Sequence, residues 1–447
     1  MDAILSLSAV ELRDRLARGA LRAADLAEAS IKQIEAVDPQ VQAWAWFDAD
    51  FVRQQAKALD SLRGTGRPVG PLHGLPVAIK DVVDTVKIPT ENGTVIDKGR
   101  VPVKDAWIVG RLKQAGALIM GKTVTTELAL FTPGKTRNPH DPARSPGGSS
   151  SGSAAAVATR MVPLAIGTQT AGSVIRPAAF CGVTGFKPTF GSIPRNGVLP
   201  QAPSLDTIGV FANSPEDAAL LADVLFGQDD DDPATRLGPA PRLLETAQSE
   251  PPLKPVLAFS PPPHWDHADE VTHAAFAELR EALAGQCDEI PLPPVFDQGN
   301  GLRETVQLAE LAKSLFSYER RGRDQLSPGM QKAIDAGKTT LARDYLSALD
   351  ARAVFNAALD EIFDRYDAIL TAAAPSPPPL AEEGTGDPIY NGLWTFCGVP
   401  AISLPLLAFE SGLPMGVQLI GRRGDDGRLL RTARWLVGHL RSEAGRT

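Results

Sequence analysis

From about Pro71 onward the chain writes its apolar residues in short unbroken runs. Examples are Leu75-Pro76-Val77-Ala78-Ile79, Ala117-Leu118-Ile119-Met120 and Val162-Pro163-Leu164-Ala165-Ile166, set among helical stretches such as Ala106 to Gln114. A strand with one wet face alternates polar and apolar residues; an unbroken run has no wet face. These segments therefore read as strands covered on both sides by helices, an α/β layered sheet. Strand-like runs return late, at Ala368-Ile369-Leu370 and Gly416-Val417-Gln418-Leu419-Ile420, ahead of a helix near Arg428 to Leu440. One sheet completed from both ends of the chain accounts for that recurrence.

Other segments punctuate this pattern. Ser8 with Glu11 three positions on has capping-box spacing and opens a first helix that stops at Gly19; a second, with Leu26, Ile31 and Ile34 on one side, is expected to end before Asp38-Pro39. Four consecutive aspartates, Asp229 to Asp232, and several prolines mark an exposed insertion or linker. Helical patterns follow over Ala268 to Ala284, Arg303 to Arg320 and Thr340 to Arg365. The expected organisation is a single domain over 1–447. Within it lie an N-terminal helical segment (1–70), a core (71–227), an acidic Pro-rich insertion (228–254), a helix-rich variable region (255–366) and C-terminal strands and helix completing the sheet (367–447).

Composition narrows the class of function. With 43% hydrophobic and 22% charged residues over 447 positions, the chain can bury a large core. The excess of 53 acidic over 45 basic side chains, net −8, opposes attraction to phosphate backbones and anionic lipid, so neither nucleic acid nor membrane is expected as a partner. Cys181, Cys287 and Cys397 stand far apart, with neither disulfide framework nor zinc spacing. With no run of about 18 apolar residues and no signal-like N-terminus, the reading is a cytoplasmic protein.

Three segments carry candidate chemistry. Lys80 ends the run Gly74 to Ile79, at the edge of a low-dielectric interior where burial lowers a lysine pKa toward that of a usable base; the alternative is a lysine that reaches solvent or pairs with Asp81. The run Ser145-Pro146-Gly147-Gly148-Ser149-Ser150-Ser151-Gly152-Ser153 has linker composition, yet it leads directly into Ala154 to Ala158, which places its N–H groups at a helix start. In Gly167-Thr168-Gln169-Thr170-Ala171-Gly172-Ser173, small residues let several amides converge just before Ser173, as an oxyanion hole requires; a tight packed turn has the same composition.

Taken in order, with Ser173 24 positions after Ser149, these segments resemble the Ser-cisSer-Lys triad of the amidase signature family. The similarity continues through Arg176-Pro177-Ala178-Ala179-Phe180-Cys181-Gly182, Gly185-Phe186-Lys187-Pro188-Thr189 and Gly412-Leu413-Pro414-Met415-Gly416-Val417-Gln418. The resemblance implies a single large mixed β-sheet flanked by helices, with a helix-rich lobe in the middle-to-C-terminal region. It further implies that Ser173 attacks the carbonyl of a small-molecule amide. Ser149, after a cis bond from Gly148, relays the proton to Lys80, and the N–H groups of Thr170, Ala171, Gly172 and Ser173 receive the oxyanion. Neither metal nor cofactor is implied, and a homodimer is expected by family analogy.

Two departures matter. The family often has Asp at Gln169 and Gly at Ala171, and many members place an arginine two residues after the nucleophile, where this chain has Arg176 three after. That arginine, with Gly384-Thr385-Gly386-Asp387-Pro388 and Asn391-Gly392-Leu393-Trp394-Thr395, is similar to the malonamidase branch, in which it binds a substrate carboxylate; an internal ion pair is the alternative. Gln169, Ser150 and Trp394 join Arg176 as candidate substrate contacts, with core packing the competing role for Trp394, Tyr390 and Cys397.

Two rival readings remain. In the first, the chain is the glutaminase-type component of a tRNA-dependent amidotransferase complex, which has the same triad and hands ammonia to a partner. The second notes that Gly148-Ser149-Ser150-Ser151-Gly152 fits the Gly-x-Ser-x-Gly elbow of α/β-hydrolases, with Ser150 as nucleophile. That elbow needs a buried strand immediately before it, and Asn138 to Pro146 holds three prolines, Pro139, Pro142 and Pro146. An α/β-hydrolase also needs a histidine, so His439→Ala is expected to leave amide hydrolysis, measured as ammonia release, unchanged. A large loss would restore a histidine to the mechanism.

Overall fold

Eleven strands of the computed structural model, which describes residues 2–283 and 285–444, join in one sheet. In chain order they are β1 (Trp44–Phe47), β2 (Pro76–Lys80), β3 (Leu118–Thr123), β4 (Leu164–Gln169), β5 (Thr184–Lys187), β6 (Thr207–Ala212), β7 (Leu257–Phe259), β8 (Cys287–Glu289), β9 (Ala368–Ala372), β10 (Ala401–Ala408) and β11 (Pro414–Ile420). Across the sheet they lie in the order β1-β3-β2-β4-β6-β5-β10-β11-β9-β7-β8.

The unbroken apolar runs form one half of this sheet. β2 is parallel to both β3 and β4, with Ile79 opposite Lys122 on one side and Ile166 on the other, and every residue of β2 and β3 is buried. Parallel neighbours finish on the same edge. Register alone therefore brings Lys80, the last residue of β2, beside Thr168 near the end of β4, at the carboxyl edge where open α/β sheets place their ligands. β4 then runs antiparallel to β6, and β5, β10, β11 and β9 continue antiparallel, so the sheet is mixed.

Helices cover both faces: α1 (Ala9–Arg18), α2 (Ala23–Val41), α3 (Ala49–Gly64), α4 (Trp107–Gln114), α5 (Ser151–Ala158), α6 (Ile175–Cys181), α7 (Pro215–Leu225), α8 (Leu243–Gln248) and α9 (Glu270–Ala282). The helix-rich lobe holds α10 (Gly299–Ser314), α11 (Phe316–Gly322), α12 (Pro328–Lys338) and α13 (Ala342–Phe363), and α14 (Gly392–Cys397) and α15 (Asp426–Ala444) follow. A core separate from that of the first strands packs Phe296, Phe355, Trp394 and Phe396. No helix among the described residues is long and apolar enough to cross a membrane.

Local signals hold where they are short-range. Ser8 Oγ accepts from the Glu11 N–H at 3.1 Å, and Gly19 closes α1 in the left-handed conformation, φ 72°. They fail where tertiary contacts decide. α2 runs through Pro39 to Val41: only the last turn loses a helical N–H, and the Gln42 N–H bonds the Asp38 carbonyl at 2.8 Å while the Asp38 carboxylate accepts from Ala43. β1 lies inside the segment expected to be helical, four residues that become a strand by pairing antiparallel with β3. Asp232, in the run expected to be exposed, is buried against Arg195 at 2.7 Å. The pattern over Arg303 to Arg320 breaks at Leu315, and that over Ala268 to Ala284 is α9, with Ala284 outside the described residues.

Beside the site, Lys122 of β3 is wholly buried and pairs with Asp81 at 3.1 Å, while its Nζ donates to the Val83 carbonyl and the Thr90 hydroxyl. Removing one member of a buried pair leaves the other charge uncompensated. Lys122→Met is expected to cost about 3–5 kcal/mol in urea unfolding. The double variant Lys122→Met/Asp81→Asn is expected to recover part of that loss.

Candidate active site

Lys80 is 0% exposed, and its Nζ donates to Ser149 Oγ and Thr168 Oγ1, both at 2.7 Å. Asp81, the alternative partner by sequence, is taken by Lys122 on the neighbouring strand. With hydroxyls around it and no carboxylate in ion-pair reach among the described residues, burial pushes the Lys80 amine well below the ordinary lysine range, the field of Asp206 opposing.

The serine run is built into the sheet. The Gly148–Ser149 peptide bond is cis, and α5 starts two residues on. Ser150 Oγ bridges β4, accepting from the Thr168 N–H and donating to the Thr168 carbonyl, each at 3.2 Å; Ser151 donates to the Val124 carbonyl and Ser153 to that of Ile166. Ser150 is thus a wholly buried structural hydroxyl, unsuited to be a nucleophile or a substrate contact. Gly147 has φ +80°, and a Cβ there would lie 2.7 Å from Pro177 Cα.

Ser173 is half-buried at the turn from β4 into α6. Gln169 shapes that turn: its Oε1 accepts from the N–H groups of Val174 (2.8 Å) and Ile175 (3.0 Å), and its Nε2 donates to Thr395 Oγ1 (2.9 Å). Thr395 in turn donates to the Ala171 carbonyl at 2.7 Å. This engagement leaves Gln169 a brace of the loop, not the substrate contact expected of it. Four successive N–H groups, Thr170 to Ser173, donate to no protein acceptor among the described residues, whereas the next two are capped by Gln169. Gly172 presses on α14, where a Cβ would come 2.4 Å from Asn391 Oδ1. No hydrogen bond joins Ser149 Oγ to Ser173 Oγ; the bonds of this group are those from Lys80.

Arg176, in α6, is 3% exposed. Its Nη2 donates to the Gly148 carbonyl at 2.8 Å and to Thr385 Oγ1 at 3.2 Å, while Nε and Nη1 are buried without partners. No acidic side chain pairs with it among the described residues, and burial pulls the guanidinium down to about 10 against the weaker pull of Asp387. Trp394 is fully buried in the second core, as are Tyr390 and Cys397 in their surroundings, so none of the three presents a surface to substrate.

Thr168, Thr395 and Asp206 escaped sequence reasoning. Thr168 had a signal, since it lies two residues before Thr170 in the same quoted segment, and Thr395 closes the quoted motif that begins at Asn391; Asp206 comes from a separate segment and had none. Thr168, Thr170, Gln201 and Asp206 line a cavity of about 260 Å³. Larger grooves of about 730 and 770 Å³ touch none of these residues.

Residues 25–430 match the family model described as Amidase. The A-type component of the glutamyl-tRNA(Gln) amidotransferase of Carboxydothermus hydrogenoformans is 33% identical over 96% of both chains. Among solved structures, one described as a vestigial protein complex bearing on the origins of an s-triazine catabolic enzyme superimposes with TM-score 0.90 at 28% identity, covering 97% of this chain and 98% of that one. The peptide amidase of Stenotrophomonas maltophilia gives 0.83 at 27%, covering 98% and 97%. The expectation of a homodimer working without nucleic acid is corrected here: the curated relative is by name one component of a larger enzyme, itself named for a tRNA.

Gln169→Ala strands two N–H groups and is expected to cost about 1–3 kcal/mol in thermal unfolding and to abolish most amide hydrolysis. Gln169→Glu, which keeps acceptor oxygens, is expected to retain more of both.

Proposed function

The chain belongs to the amidase family, and from that premise we propose that it hydrolyses a carboxylated primary amide through an acyl-enzyme on Ser173. The observation that carries the substrate class is Arg176: a buried guanidinium with two unpartnered nitrogens, Nε and Nη1, bonded through Nη2 to the carbonyl of the residue before Ser149. A buried cation without a counter-charge is costly, and a planar fork is made to receive a carboxylate. A substrate carboxylate supplies that charge. On this reading the chain sides with malonamidase-like enzymes.

Neutral Lys80 accepts a proton from Ser149 as Ser149 takes the proton of Ser173, whose oxygen bonds to the amide carbon. The oxyanion is received by the free N–H groups between Thr170 and Ser173, each such donor being worth roughly 10²–10³ in rate. Ser149 then protonates the nitrogen as the C–N bond breaks, and its own proton returns from Lys80. Water repeats the sequence on the ester, releasing the acid.

A second reading rests on a separate observation, the curated relatives, which point to the A-type component of an amidotransferase more than to a stand-alone amidase. On it the chemistry at Ser173 is the same, glutamine is the amide, and ammonia passes to a partner.

Ammonia release from carboxylated, neutral aliphatic and aromatic amides and from glutamine separates these. Carboxylated amides are expected to be preferred, and Arg176→Ala to lose about 10²-fold in kcat/KM on them alone. Equal use of neutral amides, or turnover that survives the substitution, would remove the carboxylate from the reading. Glutamine turnover that appears only with added partner proteins would favour the second reading. Because the base is a neutral amine, kcat/KM is expected to rise with pH through the lowered Lys80 pKa and level off below the ordinary lysine range.

A further inference from the structure

Behind the loop of free N–H groups sits a carboxylate that the acyl transfers do not use. Asp206 lies just before β6, where its Oδ1 accepts from Thr170 Oγ1 at 2.6 Å and its Oδ2 from the N–H groups of Gln201 and Ala202, each at 2.9 Å. Thr170 is the first of the four residues with unpartnered amides. Two positions earlier, Thr168 accepts from Lys80, and Thr168, Thr170 and Asp206 line one cavity of about 260 Å³. A carboxylate and two hydroxyls thus line one small space, and one of those hydroxyls, that of Thr168, is bonded to the buried amine.

We propose that Asp206 is a positioning residue for the reaction at Ser173: it anchors Thr170 at the head of the amide loop and sets a carboxylate on the cavity that Thr168, the partner of Lys80, also lines. The inference rests on the reading of Lys80 as the base. Among the described residues, Asp206 is the only charged group whose field shifts the amine appreciably, drawing its proton affinity up against burial. The other charges nearby are engaged. Lys122 pairs with Asp81, and by strand alternation both point from the face opposite Lys80. Arg195 donates to the Asp206 carbonyl at 3.1 Å while pairing with Asp232; Asp231 accepts from Asn196; Glu310 holds the Ser204 N–H and hydroxyl. Burial pushes the Asp206 carboxyl up, but three donors and the Arg195 guanidinium favour its anion.

The test is the pH dependence of Ser173 labelling by phenylmethanesulfonyl fluoride, followed by intact and peptide mass, which reads the activated nucleophile without knowledge of the substrate. Asp206→Asn can keep all three hydrogen bonds and loses only the charge, so its acid limb is expected to move to lower pH by roughly half a unit or more. Asp206→Glu is expected to keep the wild-type midpoint. Thr170→Val, which keeps the charge and cuts the anchor, is expected to lower the labelling rate without moving the midpoint, and it remains informative if Asp206→Asn does not fold. An Asp206→Asn midpoint equal to wild type overturns the electrostatic role; a Thr170→Val rate equal to wild type overturns the anchoring role. Absence of Ser173 labelling in the wild type overturns the parent reading, and this inference with it.

Discussion

A primary amine buried at the carboxyl edge of a sheet with only hydroxyl oxygens for company is the constraint around which the rest of this molecule is arranged. Transfer of an unpaired ammonium into protein interior costs several kcal/mol after relaxation, so burial favours the neutral form of such a group and lowers its hold on a proton. Among the described residues three lysines are wholly buried, and their partners separate their roles. Lys122 has a carboxylate, and Lys187 donates to the carbonyls of Pro188 and Val399, which only accept; Lys80 alone bonds to side-chain hydroxyls without any acid beside it. Hydroxyls both give and receive protons. Lys122 also meets a hydroxyl, that of Thr90, but its charge is held by Asp81, so of the three only Lys80 combines hydroxyl partners with freedom from a paired acid.

Parallel pairing is what makes that environment. Had β4 met β2 antiparallel, its carboxyl end would have lain at the opposite edge, taking Thr168, the amide loop and Ser173 away from Lys80. Ser150 and Ser153 then fix α5 to the backbone of β4, which holds Ser149 over the amine. The serine-rich run that reads by composition as a linker has its hydroxyls consumed by the sheet, and that consumption makes it rigid.

This contrast separates what could be read from the sequence and what could not. The buried strands, the capped first helix and the order of Lys80, Ser149 and Ser173 were legible because each is written within a few consecutive residues. β1 and the anchored Asp232 were not, because each is decided by a partner far along the chain, β3 for β1 and Arg195 for Asp232; the helix through Pro39 was not, because the Asp38 carbonyl and carboxylate close the turn after it. Gln169 shows the intermediate case. Its position in the segment leading to Ser173 marked it as a candidate, yet a side chain placed there can turn outward to a ligand or inward to its own turn, and only Thr395, 226 positions away, decides for the inward choice.

That inward turn also explains which amides are free. A helix start leaves its first N–H groups without intrahelical acceptors. At α6, Gln169 satisfies those of Val174 and Ile175, and the Gly172 carbonyl takes that of Arg176, so the unpartnered set stops at Ser173 and extends backward to Thr170. The same capping directs Arg176, one residue further, back against the Gly148 carbonyl. A single amide side chain thereby sorts the donors of this turn into those satisfied within the protein and those left without a protein acceptor among the described residues. The guanidinium lands against the residue before Ser149 as a consequence of the same turn.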